Sequence, residues 1–340
     1  VNIPVITVGR YTEPQFAELM VKEGRADLVA FGRQSLADPA MPKKAQEERL
    51  EDMTPCIACL QGCVANMYAG NPVCCLTNPF LGHEAEPLEK AEEPKKVMVI
   101  GGGVAGLSAA FIAKERGHEV TLYEAGDVLG GNMRLAAYPP GKGDITNMIR
   151  SYIHRCQKDG VKIVMNCEVT PELIKEEKPD SVIIATGSKT LILPIEGIDN
   201  PAIIHGSDLL DGKRAAGKKV LVVGGGMVGC ETAAFLGEQE HDVTVIEFRD
   251  TVGADVIHEH RVYLMKDFED YGIKEITGAK VCKFYEDGVE YETADGVRHE
   301  SRGYDSVILS MGFRNYNPLE EKIKDLVPET HVIGDAIRAR

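Results

Sequence analysis

The sequence predicts an α/β protein in which one parallel-sheet unit is inserted within another, and three observations carry that prediction. Two stretches share one pattern: a short apolar strand, a Gly-x-Gly-x-x-Gly turn, a helix, and a second strand leading to a glutamate. The first consists of strand 97–100, Gly101, Gly103 and Gly106, a helix to about Gly117, strand 119–123 and Glu124; the second has strand 219–223, Gly224, Gly226 and Gly229, a helix to about Gly237, and a strand reaching Glu247. First glycine to acid is 23 residues in both (101 to 124, 224 to 247). The third observation is a later echo, DSVIIATG at 180–187 and DSVILSMG at 305–312, whose aspartates follow the first glycines by 79 and 81 residues. This is an internal duplication at the scale of a domain.

Each element of the repeat has a physical reason. Gly101 and Gly224 permit a tight turn, Gly103 and Gly226 let a pyrophosphate approach the backbone, and Gly106 and Gly229 allow close packing of helix on strand. The helix N-terminus faces the anion, and Glu124 or Glu247 accepts hydrogen bonds from ribose hydroxyls. A lone glycine fingerprint is weak evidence; strand, turn, helix, second strand and acid in this order are strong. The chain is therefore read as carrying two Rossmann-like dinucleotide sites.

Composition sets the outer limits. At 340 residues the chain should hold two or three domains. A net charge of −15 argues against nucleic acid and anionic membrane as partners. No apolar run reaches membrane-spanning length. Of nine cysteines, five fall between Cys56 and Cys75, a pattern that fits a metal site in a reducing cytoplasm. The scattered Cys156, Cys167, Cys230 and Cys282 read as ordinary core thiols.

The stretch CIACLQGCVANMYAGNPVCC at 56–75 is the chemical centre of the chain. Cys56, Cys59 and Cys63 lie on one tight loop, and the pair Cys74–Cys75 returns to offer a fourth thiolate. Four thiolates suit an iron–sulfur cluster or tetrahedral zinc. The 2-then-3 spacing with a distant fourth ligand differs from paired zinc knuckles, so a [4Fe–4S] cluster ranks first, structural zinc second and a disulfide set last. Ahead of it, strand 3–8, helix 12–23 with Phe16, Leu19 and Met20 on one face, and buried strand 26–31 form two βα units. Two such units cannot close a sheet, so the N-terminus reads as cut from a larger domain.

The segments ITVGR, ADLVAFGRQSLADP and the cysteine stretch resemble the end of the barrel in NADH:flavin oxidoreductases of the 2,4-dienoyl-CoA reductase, 2-enoate reductase and trimethylamine dehydrogenase group. The resemblance continues through both fingerprints and the closing VIGDA. It implies a truncated TIM barrel over 1–50, an iron–sulfur segment and linker over 51–94, an FAD domain over 95–200 and 305–340, and an inserted NAD(P)H domain over 201–304. It further implies that Gly9, Gly32 and Arg33 hold the phosphate of FMN, and that Cys56, Cys59, Cys63 and Cys75 ligate the cluster with Cys74 a bystander. FAD would lie along Gly101, Gly103, Gly106, Glu124, Gly131, Asn132, Gly187, Gly334 and Asp335. NADH would take Gly224, Gly226, Gly229 and Glu247, with the acid disfavouring a 2′-phosphate. Gly334–Asp335 would stand at a helix N-terminus that the chain leaves incomplete.

The activity so implied is NADH-dependent reduction of a C=C bond conjugated to a carbonyl, in an enoate, enone or enoyl-CoA. The barrel's catalytic residues lie outside this sequence. Open strand edges at the start of the chain point to self-association, as a homo-oligomer. Two other readings stay open: an amine dehydrogenase that passes electrons to a separate flavoprotein, and a non-catalytic module with zinc at the cysteines. A disulfide reductase is rejected, because residues 106–155 contain no cysteine.

Overall fold

The structure is a computed structural model describing residues 2–86 and 88–339. It forms two compact units. The first runs to Arg134 and resumes over Asp144–Ala185 and Pro318–Ile333; the second comprises Leu135–Gly143, Thr186–Asn317 and the segment from Gly334.

The first unit is built on a five-stranded parallel sheet in the order Glu329–Val332, Ser181–Ile184, Lys96–Ile100, Glu119–Tyr123, Lys162–Val164. Its central strand is buried from Val97 to Ile100, the near-continuous apolar run expected of a parallel strand covered on both faces. The fingerprint helix Val104–Glu115 starts directly after Gly103 and buries Leu107, Ala110 and Phe111. A long helix, Asp144–Lys158, packs beside it through Met148, Ile149, Tyr152 and Cys156, at i, i+1, i+4 and i+8 on one stripe. Between the last two strands of the repeat the chain forms the helix Pro171–Glu177, capped by the Thr170 hydroxyl, which accepts from the Leu173 N–H at 3.4 Å.

The second unit repeats the sheet. Its five parallel strands run Lys274–Ile276, Asp242–Ile246, Lys219–Val223, Ser306–Leu309, Ile204–His205. The helix Met227–Glu238 follows the second fingerprint. Where the first copy has a helix, this one has an antiparallel meander of Lys280–Tyr285, Gly288–Glu292 and Arg298–Arg302. Similar lengths of chain thus fill the same gap with different structure.

Four expectations need correction. The strand Ser306–Leu309 pairs with Lys219–Val223 in the second sheet, so that unit extends past residue 304 to Asn317. Strand 26–31 is not buried: the two-stranded parallel pair Ile6–Val8 and Leu28–Ala30 exposes Ile6, Val8 and Leu28, and Phe16 and Leu19 of the helix Pro14–Lys22 are exposed too. Apolar patterning marked faces that need cover, and two βα units alone do not provide it. Cys156 and Cys230 are core thiols, but Cys167 and Cys282 are half-buried, the latter at a register shift between Val281 and Lys283. Finally, Gly334–Ala336 forms a single 3₁₀ turn, not the start of an α-helix within the described residues.

Candidate functional site

The first fingerprint loop is a close-packed backbone cradle. Gly101 turns at φ +106°, and a Cβ on Gly106 would lie 1.9 Å from the Gly101 carbonyl oxygen. Both positions therefore require glycine for the loop itself. Gly103 differs: a Cβ there would meet only the Gly131 Cα, at 3.9 Å. Its bareness leaves the turn open to a ligand, as a pyrophosphate seat requires. Gly130, Gly131 and Asn132 pass over this turn, with the Gly130 N–H donating to the Gly102 carbonyl at 2.8 Å. Glu124 closes the far side; its two carboxylate oxygens accept from the Gly102 and Gly126 N–H groups, each at 2.7 Å. Each oxygen keeps a lone pair for a sugar hydroxyl.

The second loop superposes on the same logic. Gly224 again has φ +106°, and a Cβ on Gly229 would come within 1.8 Å of the Gly224 carbonyl oxygen. Glu247 accepts from Gly225 N–H at 2.5 Å and Arg249 N–H at 2.9 Å. The Gly253 N–H donates to the Gly225 carbonyl at 2.7 Å, matching Gly130 on Gly102. One residue type differs. Asn132 and Asp255 both stand 31 residues after the first glycine of their copy (101 to 132, 224 to 255), and the Asp255 carboxylate accepts from Met227 N–H at 2.9 Å. A fixed anion thus sits at the start of the second fingerprint helix, where a phosphate would bind.

The predicted cofactor residues do not all fall in the first unit. Gly187, at φ +71°, belongs to the second, its carbonyl accepting from Tyr316 N–H at 2.9 Å. So does Asp335, which follows Gly334 at φ +62° and accepts from the Ser188 hydroxyl at 3.1 Å.

The cysteine loop is tightly wound. Ala58 and Leu60 take left-handed φ angles of 51° and 58°, and a wide π-type turn follows over Gln61–Ala65. Left-handed non-glycine residues persist only where the surroundings over-determine them. Here, Gln34 accepts from Cys56 N–H at 2.8 Å and donates to the Thr54 carbonyl at 3.0 Å. Asp38 accepts from Thr54 N–H at 2.9 Å and pairs with Lys44 at 2.7 Å. Asn78 donates to the Leu36 carbonyl at 2.8 Å, and Tyr152 to the Thr77 carbonyl at 3.1 Å. Gly62 is needed because a Cβ would lie 2.6 Å from the Cys74 carbonyl oxygen.

Cys56, Cys59, Cys63, Cys74 and Cys75 line one cavity with an empty volume of about 340 Å³, partly open to solvent, and Arg33 forms part of its wall. Burial pushes the Cys56 and Cys59 thiols up, and neighbouring cysteines of the same set add to the rise. Among the described residues, no three His, Cys, Asp or Glu side chains converge to hold a single metal ion. The donors are soft sulfurs spread around a cavity, an arrangement that fits a multi-atom cluster better than one zinc ion. Gly9 and Gly32 lie just past the paired residues Val8 and Ala30, and a Cβ on either would meet nothing within 4 Å. Sequence reasoning missed Gln34, Asp38, Thr77, Asn78 and Tyr152. The first four stood inside the quoted segments RQSLADP and CLTNP, as polar residues that the fold buries.

Residues 95–329 match the family described as pyridine nucleotide-disulphide oxidoreductase, and residues 1–52 match the NADH:flavin oxidoreductase / NADH oxidase family. The chain belongs to the 2-enoate reductase and dienoyl-CoA reductase group of these flavin oxidoreductases. The NADH oxidase of Thermoanaerobacter brockii is 38% identical over 345 residues, covering 99% of this chain and 53% of that protein. The cinnamate reductase of Clostridium sporogenes is 34% identical, covering 99% and 50%. The solved structure of a 2-naphthoyl-CoA reductase complex superposes with a TM-score of 0.95 at 34% identity, over 100% of this chain and 52% of that one. The chain thus spans about half the length of the curated relatives it matches. Membership of the group implies flavin and NADH. Among the described residues no helix is long and apolar enough to cross a membrane.

Proposed function

We propose that this chain is the electron-input part of an NADH-dependent reductase acting on a C=C bond conjugated to a carbonyl. The observation that carries the proposal is the presence, in one chain, of two intact nucleotide cradles and a cavity lined by five thiols. FAD, a [4Fe–4S] cluster and FMN, when bound, supply the conversion between hydride transfer and single-electron transfer.

The chain's own residues have separable tasks. Gly101, Gly103 and Gly106 seat the FAD pyrophosphate, and Glu124 takes its ribose hydroxyls. Gly224, Gly226, Gly229 and Glu247 do the same for NADH, with Glu247 repelling a 2′-phosphate and so favouring NADH over NADPH. Cys56, Cys59, Cys63 and Cys75 hold the cluster. The N–H groups near Gly9 and Gly32, with the Arg33 fork, hold the FMN phosphate. The substrate class rests on the similarity to a cinnamate reductase and a 2-naphthoyl-CoA reductase.

The test is iron and acid-labile sulfide in single cysteine variants. Cys75→Ser should lose the cluster and Cys74→Ser should keep it. Loss in the Cys74 variant alone would overturn the ligand assignment, and zinc without iron in the parent protein would overturn the electron-transfer reading.

A further inference from the structure

The Thr77 side chain is 3% exposed, and its hydroxyl oxygen lies 3.3 Å from the Cys75 sulfur. A ligating cysteine is a thiolate, which accepts hydrogen bonds and donates none, so at a loaded site the hydroxyl must be the donor. Thr77 is itself fixed from behind. Its carbonyl accepts from the Tyr152 hydroxyl at 3.1 Å, and the next residue, Asn78, is tied to the Leu36 carbonyl at 2.8 Å. Tyr152 is 5% exposed and packs edge-on against Phe111 of the first fingerprint helix, ring centroids 5.2 Å apart at 79°. At Cys56 and Cys59 backbone hydrogen bonds from Ala58 and Gln61 favour the thiolate. At Cys75 the partner is a side chain, which substitution can remove without altering the main chain.

We propose that Thr77 sets the reduction potential of the cysteine-bound cluster by donating its hydroxyl proton to the Cys75 sulfur, with Tyr152 holding Thr77 in register. This rests on the cluster assignment made above. A donor at a ligand sulfur stabilises the more negative, reduced form and raises the potential. Thr77 is therefore a positioning and tuning residue, not a ligand.

The experiment is a potentiometric titration of the iron-loaded 340-residue chain, read by the electron paramagnetic resonance of the reduced form, with iron and sulfide measured first. Thr77→Val should shift the reduction equilibrium against the reduced form about tenfold, or ~59 mV for a one-electron couple. Thr77→Ser should keep the parent potential, and Tyr152→Phe should lower it by a smaller step. An unchanged potential in Thr77→Val with a full complement of iron overturns the proposal. Should that variant assemble no cluster, Tyr152→Phe decides alone, and an unchanged potential there overturns it. A parent protein that binds no iron removes this inference and the reading beneath it; iron with an insensitive potential removes this one only.

Discussion

Gly103 and Gly106 stand three residues apart yet constrain the molecule in different ways. A Cβ at Gly106 would collide with the Gly101 carbonyl, whereas one at Gly103 would enter open space. Gly106→Ala should therefore destabilise the protein itself, by about 1–3 kcal/mol from overpacking, along with any loss of flavin. Gly103→Val should leave the thermal midpoint near that of the parent while FAD content falls to background. Flavin absorbance and a melting curve on both variants check the contrast, and stoichiometric FAD in Gly103→Val would refute the seat. The fingerprint glycines and acids were legible because spacing alone determines which of them meet. Tyr152 was not legible as part of the cysteine centre. It sits mid-stripe on an amphipathic helix, where a tyrosine reads as core, and only the fold brings its hydroxyl to Thr77.

Among the elements, the helix Asp144–Lys158 has the most to hold. Its Ser151 hydroxyl donates to the Met53 carbonyl at 3.0 Å, and His154 and Lys158 both reach Asp52 in the turn Leu50–Asp52 before the cysteine loop. Burial works to raise the Asp52 carboxyl, but hydrogen bonds from Lys158, Arg49 and His154 outweigh it and bring the group down to about 2. A lowered carboxyl stabilises the fold above its unfolded value near 3.8 and loses that contribution as pH falls toward 2. Asp52→Asn should therefore cost ~1 kcal/mol at neutral pH, allowing for solvent screening, and the difference from the parent should vanish by about pH 2. Urea unfolding at a series of pH values checks this; a pH-independent difference would mean that the ion pairs contribute nothing. Element types were legible where periodicity was strong, as in the two fingerprint helices. The exposure of the first strands was not, because an apolar run states what a strand needs against it and not whether the neighbour is there.

Taken whole, the molecule combines two nucleotide units and a thiol cavity with only two βα units ahead of them. FMN phosphate contacts near Gly9, Gly32 and Arg33 leave the apolar ring of that flavin without a pocket of its own in this chain. The chain alone should oxidise NADH with ferricyanide or dyes and should give no reduction of cinnamyl or crotonyl substrates; measurable alkene turnover would refute that division. The duplication itself was legible from two equal spacings, but the divergence of its two copies was visible only as one carboxylate at Asp255 against the amide of Asn132. That single difference bears on time as well as affinity. A flavin stays through many turnovers, whereas a nicotinamide dinucleotide must depart after each one. A carboxylate already seated on the Met227 N–H competes with an arriving pyrophosphate and hastens its exit. Asp255→Asn should accordingly lengthen the residence of NADH roughly fivefold, the kinetic equivalent of about 1 kcal/mol at a helix N-terminus. In stopped-flow displacement, release would slow while hydride transfer in a single turnover stayed at the parent rate. The copy that must empty itself carries its own means of doing so.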